Sequence, residues 1–160
     1  MPTKYKGDAA TVRALNAFIN LARAADSLSA RVATDVEASG LTPGQFGVLE
    51  AILHLGPMSQ RALGTKLLRS GGNITLVVDN LEKRGLVRRE RQPRDRRTLV
   101  VHLTAPGRRL IESIFPAHAR AITREMSPLS ARDQEDLRRI CRKFRGAPES
   151  SQKQAKGEKS

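Results

Sequence analysis

Seven arginines, at positions 84, 88, 89, 91, 94, 96 and 97, crowd into one short stretch that contains no lysine. A guanidinium stays charged at any physiological pH and offers a planar fork of donors that matches phosphate. It is also weakly hydrated, so it enters a narrow minor groove more readily than an ammonium. A charge run is most often a solvated face; one built from arginine alone suggests a polyanion-binding surface. A second group lies just upstream, in Ser70-Gly71-Gly72-Asn73-Ile74-Thr75-Leu76. Asn73 can pair with an adenine edge, and Thr75 can bond a base or a phosphate. Ser70 can cap a helix there, and Gly72 lets the backbone come close to an anion at the helix start. Leu76 is apolar on a face that should be wet, where a thymine methyl would satisfy it. The plain alternatives are capping, solubility and a single exposed leucine.

Composition agrees. The 160 residues carry 29 Lys+Arg against 16 Asp+Glu, a net charge of +13. Residues 60–109 alone hold 13 of the basic residues and 4 of the acidic ones. Such an excess points to nucleic acid, or less often to an anionic membrane surface. Aromatics are 3% and Trp is absent. RNA readers usually stack bases on exposed aromatics, so duplex DNA is the better fit. The charge alone would also suit a basic RNA- or ribosome-associated protein. The single cysteine, Cys141, allows no intramolecular disulfide and no multi-cysteine zinc site. No apolar run approaches membrane-spanning length, and residues 1–12 lack a signal-peptide core. The expectation is a cytoplasmic protein with no membrane partner. No G-x-S-x-G, HExxH, P-loop or dinucleotide fingerprint occurs, so no enzyme activity is expected. His54, His102 and His118 show no ligand spacing, and neither a metal nor another cofactor is expected.

The elements that must carry these residues are readable from periodicity. Residues 1–8 are polar and expected to fray. Val12, Leu15, Phe18, Ile19, Ala22, Ala25, Leu28 and Val32 recur at three and four residues, predicting one long helix over 9–39 that stops at Gly40. Thr42-Pro43-Gly44-Gln45 is a capping box for a second helix ended by Gly56-Pro57. Ser59 caps a third helix over 60–68. Residues 70–73 read as a turn, and Ile74, Val77, Val78 and Leu81 form the stripe of a fourth helix ending near Arg84 and closed by Gly85. The period then changes to two, giving strands over 86–91 and 98–103 around a charged turn. Thr104 caps a fifth helix containing Pro116, and Ser130 caps a sixth with Leu137, Ile140, Cys141 and Phe144 on one face. The tail 146–160 has too few apolar residues to pack and is expected to be a disordered basic segment. The fold class is therefore mostly α, with six helices and a small β-hairpin. Helix–helix–helix–hairpin over 43–103 is the order of a winged helix-turn-helix.

Three stretches, Asp95 to Thr104 with Gly107, Gly72 to Val87, and Leu41 to Leu49, together resemble the MarR family of multiple antibiotic resistance regulators. Asp95-Arg96-Arg97-Thr98-Leu99-Val100-Val101-His102-Leu103-Thr104, followed by Gly107, is similar to its wing signature. Gly72-Asn73-Ile74-Thr75 through Val87 is similar to its recognition helix and exit. Leu41 to Leu49 is similar to its second helix. The resemblance covers roughly residues 9–145. It implies a DNA-binding lobe over 42–104 and a homodimer joined through helices within 9–40 and 105–145. It further implies Arg97 in the minor groove with Asp95 orienting it, Arg94 and Arg96 beside it, and an inverted-repeat operator bound by a ligand-responsive repressor. The Gly72–Thr75 segment and Ile114-Phe115-Pro116 with His118 look most like members that sense quinones or phenolic compounds. The effector implied is a small phenol, quinone or aromatic acid, with Phe46, His54, Phe115 and His118 as its candidate pocket. Cys141, in an apolar stripe, reads as a buried small hydrophobe rather than a redox sensor.

Overall fold

The structure is a computed structural model that describes residues 3–67 and 71–144. Ser70 and the tail 146–160 lie outside the described residues. The described chain forms α1 (Ala9–Glu37), α2 (Pro43–Leu55), β1 (Met58–Ser59), α3 (Gln60–Lys66), α4 (Gly71–Lys83), β2 (Val87–Arg91), β3 (Leu99–Leu103), α5 (Ala105–Met126) and α6 (Ala131–Arg142). It divides into two compact units, Met1–Ile122 and Thr123–Ser160.

In the first unit α1, α2, α3 and α5 start where a side chain satisfies one of the first free N–H groups. The Asp8 carboxylate accepts from Thr11 N at 2.9 Å. Thr42 and Gln45 make the reciprocal capping box, Gln45 N donating to Thr42 Oγ1 at 3.2 Å and Thr42 N to Gln45 Oε1 at 3.1 Å. Ser59 Oγ accepts from Ala62 N at 3.1 Å. Helix α4 begins at Gly71, so Gly71, Gly72 and Asn73, expected in a turn, instead form its first helical turn.

The core sits where α2, α3 and α4 meet the sheet. Phe46, Val48, Leu49 and Ile52 of α2, Leu63 of α3, and Ile74, Val78 and Leu81 of α4 are buried together with Val87, Val101 and Ile111. Each such side chain contributes about 1.5–3 kcal/mol on leaving water. The sheet is antiparallel in the order β1-β3-β2. β3 pairs with β2 from Val87↔Leu103 to Arg91↔Leu99 and with β1 at Met58↔Val101 and Ser59↔Val100. Two residues after Gly56-Pro57 carry no alternation, so β1 left no trace in the sequence pattern.

The wing is fastened to α5 by a backbone approach. Gly85, at φ +70°, turns the chain out of α4. Thr104 N donates to Leu86 O at 3.1 Å, and Thr104 Oγ1 donates to Gly85 O at 2.6 Å while accepting from Gly107 N at 3.1 Å. Gly107 is buried, and a Cβ there would collide with the Leu86 carbonyl. In the second unit Ser130 and Asp133 form a capping box at the start of α6, and the Ser130 hydroxyl holds the Asp133 carboxyl below its ordinary value. Leu137 and Cys141 are half-buried, whereas Ile140 and Phe144 are exposed.

Because the Leu86 carbonyl is main chain and cannot rotate aside, Gly107→Ala should destabilise the fold by about 2–3 kcal/mol. Chemical denaturation would read this directly; an unchanged midpoint would show that the junction yields.

Candidate nucleic-acid interface

Helix α4 has two sides with opposite fates. Ile74, Val78 and Leu81 are buried, and Asn73, Thr75 and Leu76 are exposed. Leu76 keeps 60% of its surface. Gly72 lies in the same first turn, and Ser70 lies outside the described residues. Thr75 is not wholly outward in its bonding, since its hydroxyl accepts from Gln60 Nε2 of α3 at 2.8 Å.

The seven arginines separate by what they hold. Arg84 donates to Gly40 O at 3.1 Å. Arg88 pairs with Glu90 on its own strand. Arg89 turns back onto α4, pairing with Asp79 and with Glu82, the latter at 2.7 Å. That cation holds the Glu82 carboxyl below the usual carboxylate range, and both carboxylates raise the Arg89 guanidinium. Arg91 donates to Arg96 O at 2.7 Å, closing the hairpin end. Arg94, Arg96 and Arg97 remain exposed at the tip.

Asp95 orders that tip in a way the sequence did not suggest. Its carboxylate accepts from the main-chain N of Arg97 at 3.0 Å and from Thr98 Oγ1 at 2.7 Å, and Thr98 N donates to Asp95 O at 3.0 Å. These donors keep its pKa low. Among the described residues the carboxylate makes no ion pair with the Arg97 guanidinium. Asp95 therefore shapes the turn that carries Arg97 and leaves that cation free. Arg97 lines a cleft with Gln60 and Arg61 at the start of α3. Arg61 went unnoticed in the sequence because an isolated arginine on a short helix has no pattern.

The candidate pocket residues do come together. The ring centroids of Phe46 and His118 lie 4.4 Å apart and tilted, those of His54 and Phe115 4.6 Å apart and edge-on, and those of Phe115 and His118 6.2 Å apart. A cavity of about 220 Å³ is walled by Val32, Val36, Phe46, Glu50 and His118 among others. The Nδ1 atom of His118 is itself buried, with no hydrogen-bond partner among the described residues. His54 faces a separate groove on the other flank of Glu50, and Phe115 touches neither space. Glu50 was missed because a single carboxylate on an amphipathic helix looks like a solubility residue. No group of His, Cys, Asp or Glu among the described residues is arranged to hold a metal, and no described helix is long and apolar enough to cross a membrane.

Comparison with known proteins bears on this arrangement. The MarR family pattern matches residues 41–99. The chain is 38% identical over 125 residues to the HTH-type transcriptional regulator YkoM of Bacillus subtilis, covering 78% of this chain and 81% of that one. It is also 38% identical over 125 residues to the HTH-type transcriptional regulator MhqR of the same organism, covering 78% and 86%. Among solved structures, BpsR of Bordetella bronchiseptica, whose DNA binding is regulated by 6-hydroxynicotinic acid, superposes with a TM-score of 0.72. It has 27% identity and covers 81% of this chain and 98% of that one. These relatives are regulators rather than enzymes, and the likeness extends well beyond the lobe that presents the arginine-tipped hairpin. The chain belongs to the MarR family of DNA-binding transcription regulators.

Proposed function

We propose that the protein is a ligand-responsive repressor that binds an inverted-repeat operator as a homodimer. The observation that carries this reading is the pairing of two exposed surfaces on one lobe. The first turns of α4 present Asn73 and Leu76, and the hairpin tip presents Arg94, Arg96 and Arg97 on a turn fixed by Asp95. The helix suits the major groove and the arginines the adjoining minor groove. A single lobe reads only a few base pairs. Two lobes related by a twofold axis read half-sites about one helical turn apart.

Exposed apolar surface supports the dimer. Phe18 on α1 is 68% exposed and Phe144 beyond α6 is 73% exposed. Leu21 and Ile140 are also exposed on these elements. Such stripes are normally covered, and a second copy covers like with like.

The cavity beside Phe46 supports the ligand response. Its walls are apolar except for Ser29, Glu50 and His118, and among the described residues no lysine or arginine lines it. A carboxylate wall disfavours an aromatic acid and favours a neutral hydroxyl that can donate to Glu50. The effector is accordingly a phenol or hydroquinone, in preference to a benzoate-like anion.

Three measurements check this. Arg97→Ala should weaken binding to a duplex enriched from a random library by the wild-type protein, and should flatten its salt dependence by about one unit of slope. Equal affinity would remove Arg97 from the interface, and preference for structured RNA over duplex would overturn the regulator reading. Phe18→Glu should convert a dimer on sedimentation to a monomer; a wild-type chain already monomeric would sink the homodimer. Catechol or hydroquinone, but not benzoate, should release the bound duplex. His118→Phe should abolish the release without changing affinity in the absence of ligand. Release by benzoate alone would reverse the assignment of effector class.

A further inference from the structure

We propose that Arg89, although it lies within the arginine cluster, is a positioning residue and not a DNA contact: it ties the recognition helix to the wing so that both reach the duplex in register. This rests on the DNA-reading role of α4 proposed above.

The donors of Arg89 are directed into the protein. Nε donates to Glu82 Oε2 at 3.0 Å, and one terminal nitrogen donates to Glu82 Oε2 at 2.7 Å and to Asp79. The other terminal nitrogen reaches Gln60 Oε1 at 3.5 Å, and the Arg89 main-chain N donates to Glu82 Oε1 at 3.0 Å. The side chain is 21% exposed. A phosphate would have to displace these carboxylates to claim the cation.

The bonds also join three elements. Arg89 belongs to β2, Asp79 and Glu82 to α4, and Gln60 to α3. Gln60 passes the connection on to Thr75. Thr75, Asp79 and Glu82 follow one another at four and three residues, so they share one side of α4. One guanidinium with one amide therefore grips α4 along two turns, on a flank of its buried stripe.

Charge gives an independent reason for the arrangement. Asp79 and Glu82 are the two acidic residues of α4. On a helix that approaches phosphates, two uncompensated carboxylates would repel the ligand. Arg89 offsets one of these two negative charges and draws both carboxylates toward the wing. Lysine cannot replace it, because one ammonium on a flexible stem lacks the planar fork needed to bridge both carboxylates and Gln60.

The test uses the full chain, the duplex enriched by the wild-type protein, and a shuffled duplex of the same length. Arg89→Lys conserves charge. It should lose roughly tenfold or more in affinity for the enriched duplex while its affinity for the shuffled duplex and its salt slope stay as in the wild type. Glu82→Gln is the milder variant and guards against a folding defect, which melting curves on both proteins would reveal. Removing an anion beside DNA should by electrostatics alone tighten binding to both duplexes; the positioning role requires weaker binding to the enriched one. Arg89→Lys binding the enriched duplex as tightly as wild type would overturn the proposal. So would a Glu82→Gln protein that binds both duplexes more tightly. A wild-type protein that enriches no duplex at all would instead overturn the DNA-reading premise, and the role of Arg89 with it.

Discussion

A helix that is to read DNA, the role proposed for α4, must be held from one side and left open on the other, and its 13 residues meet that constraint with little to spare. Ile74, Val78 and Leu81 sink into the core to 2% exposure or less, while Asn73 and Leu76 stay in solvent. The burial that fixes α4 is supplied by α2, α3 and the sheet, so those elements act as its seat. Hydrophobic burial is not directional. It holds the helix down but resists sliding or rotation only through side-chain shape. Directional bonds complete the placement: Gln60 to Thr75 from α3, and Arg89 to Asp79 and Glu82 from the wing.

Much of this was legible in the sequence because capping and periodicity are local. The Thr42–Gln45 and Ser130–Asp133 boxes, the Ser59 cap and the Gly85 exit all fall where residue types place them. The stripe Ile74, Val77, Val78 and Leu81 is the side of α4 that packs. What could not be read was partnership across the chain. The sequence groups Arg84 to Arg97 as one cluster, yet whether an arginine meets solvent or a carboxylate depends on strand register. Arg89 lies opposite Val101, whose buried side chain marks the inward face, whereas Arg88 lies opposite His102 on the other face. β1 was invisible for the same reason, since its two residues are a strand only because β3 runs beside them.

Electrostatics follows the same division. At the hairpin tip Asp95 spends its charge on the Arg97 main-chain N–H and the Thr98 hydroxyl, which leaves three arginine side chains uncompensated by it. At the hairpin base Asp79 and Glu82 neutralise Arg89. The positive field is thus concentrated where the chain projects and quenched where it meets the helix. A uniformly charged hairpin would attract phosphate along its whole length and fix no orientation, whereas a charged tip on a neutral base favours one approach.

The same geometry gives the proposed ligand response a short path. Helix α2 forms a wall of the cavity through Phe46 and Glu50, and it is itself part of the seat of α4. Glycines bring these layers close: a Cβ at Gly44 would stand 3.4 Å from Val77, and one at Gly47 would stand 3.1 Å from Leu67. With so little slack, a ligand that shifts Phe46 or His118 cannot be absorbed by a soft layer between cavity and recognition helix. A ligand alters DNA affinity only by its differential binding to two arrangements of the protein. In the proposed dimer, whose two helices must match successive grooves, even a small displacement of α2 would change the spacing at both ends of the operator. In the proposed mechanism, the tight packing beneath α4 is therefore also what would let a small molecule switch DNA binding off.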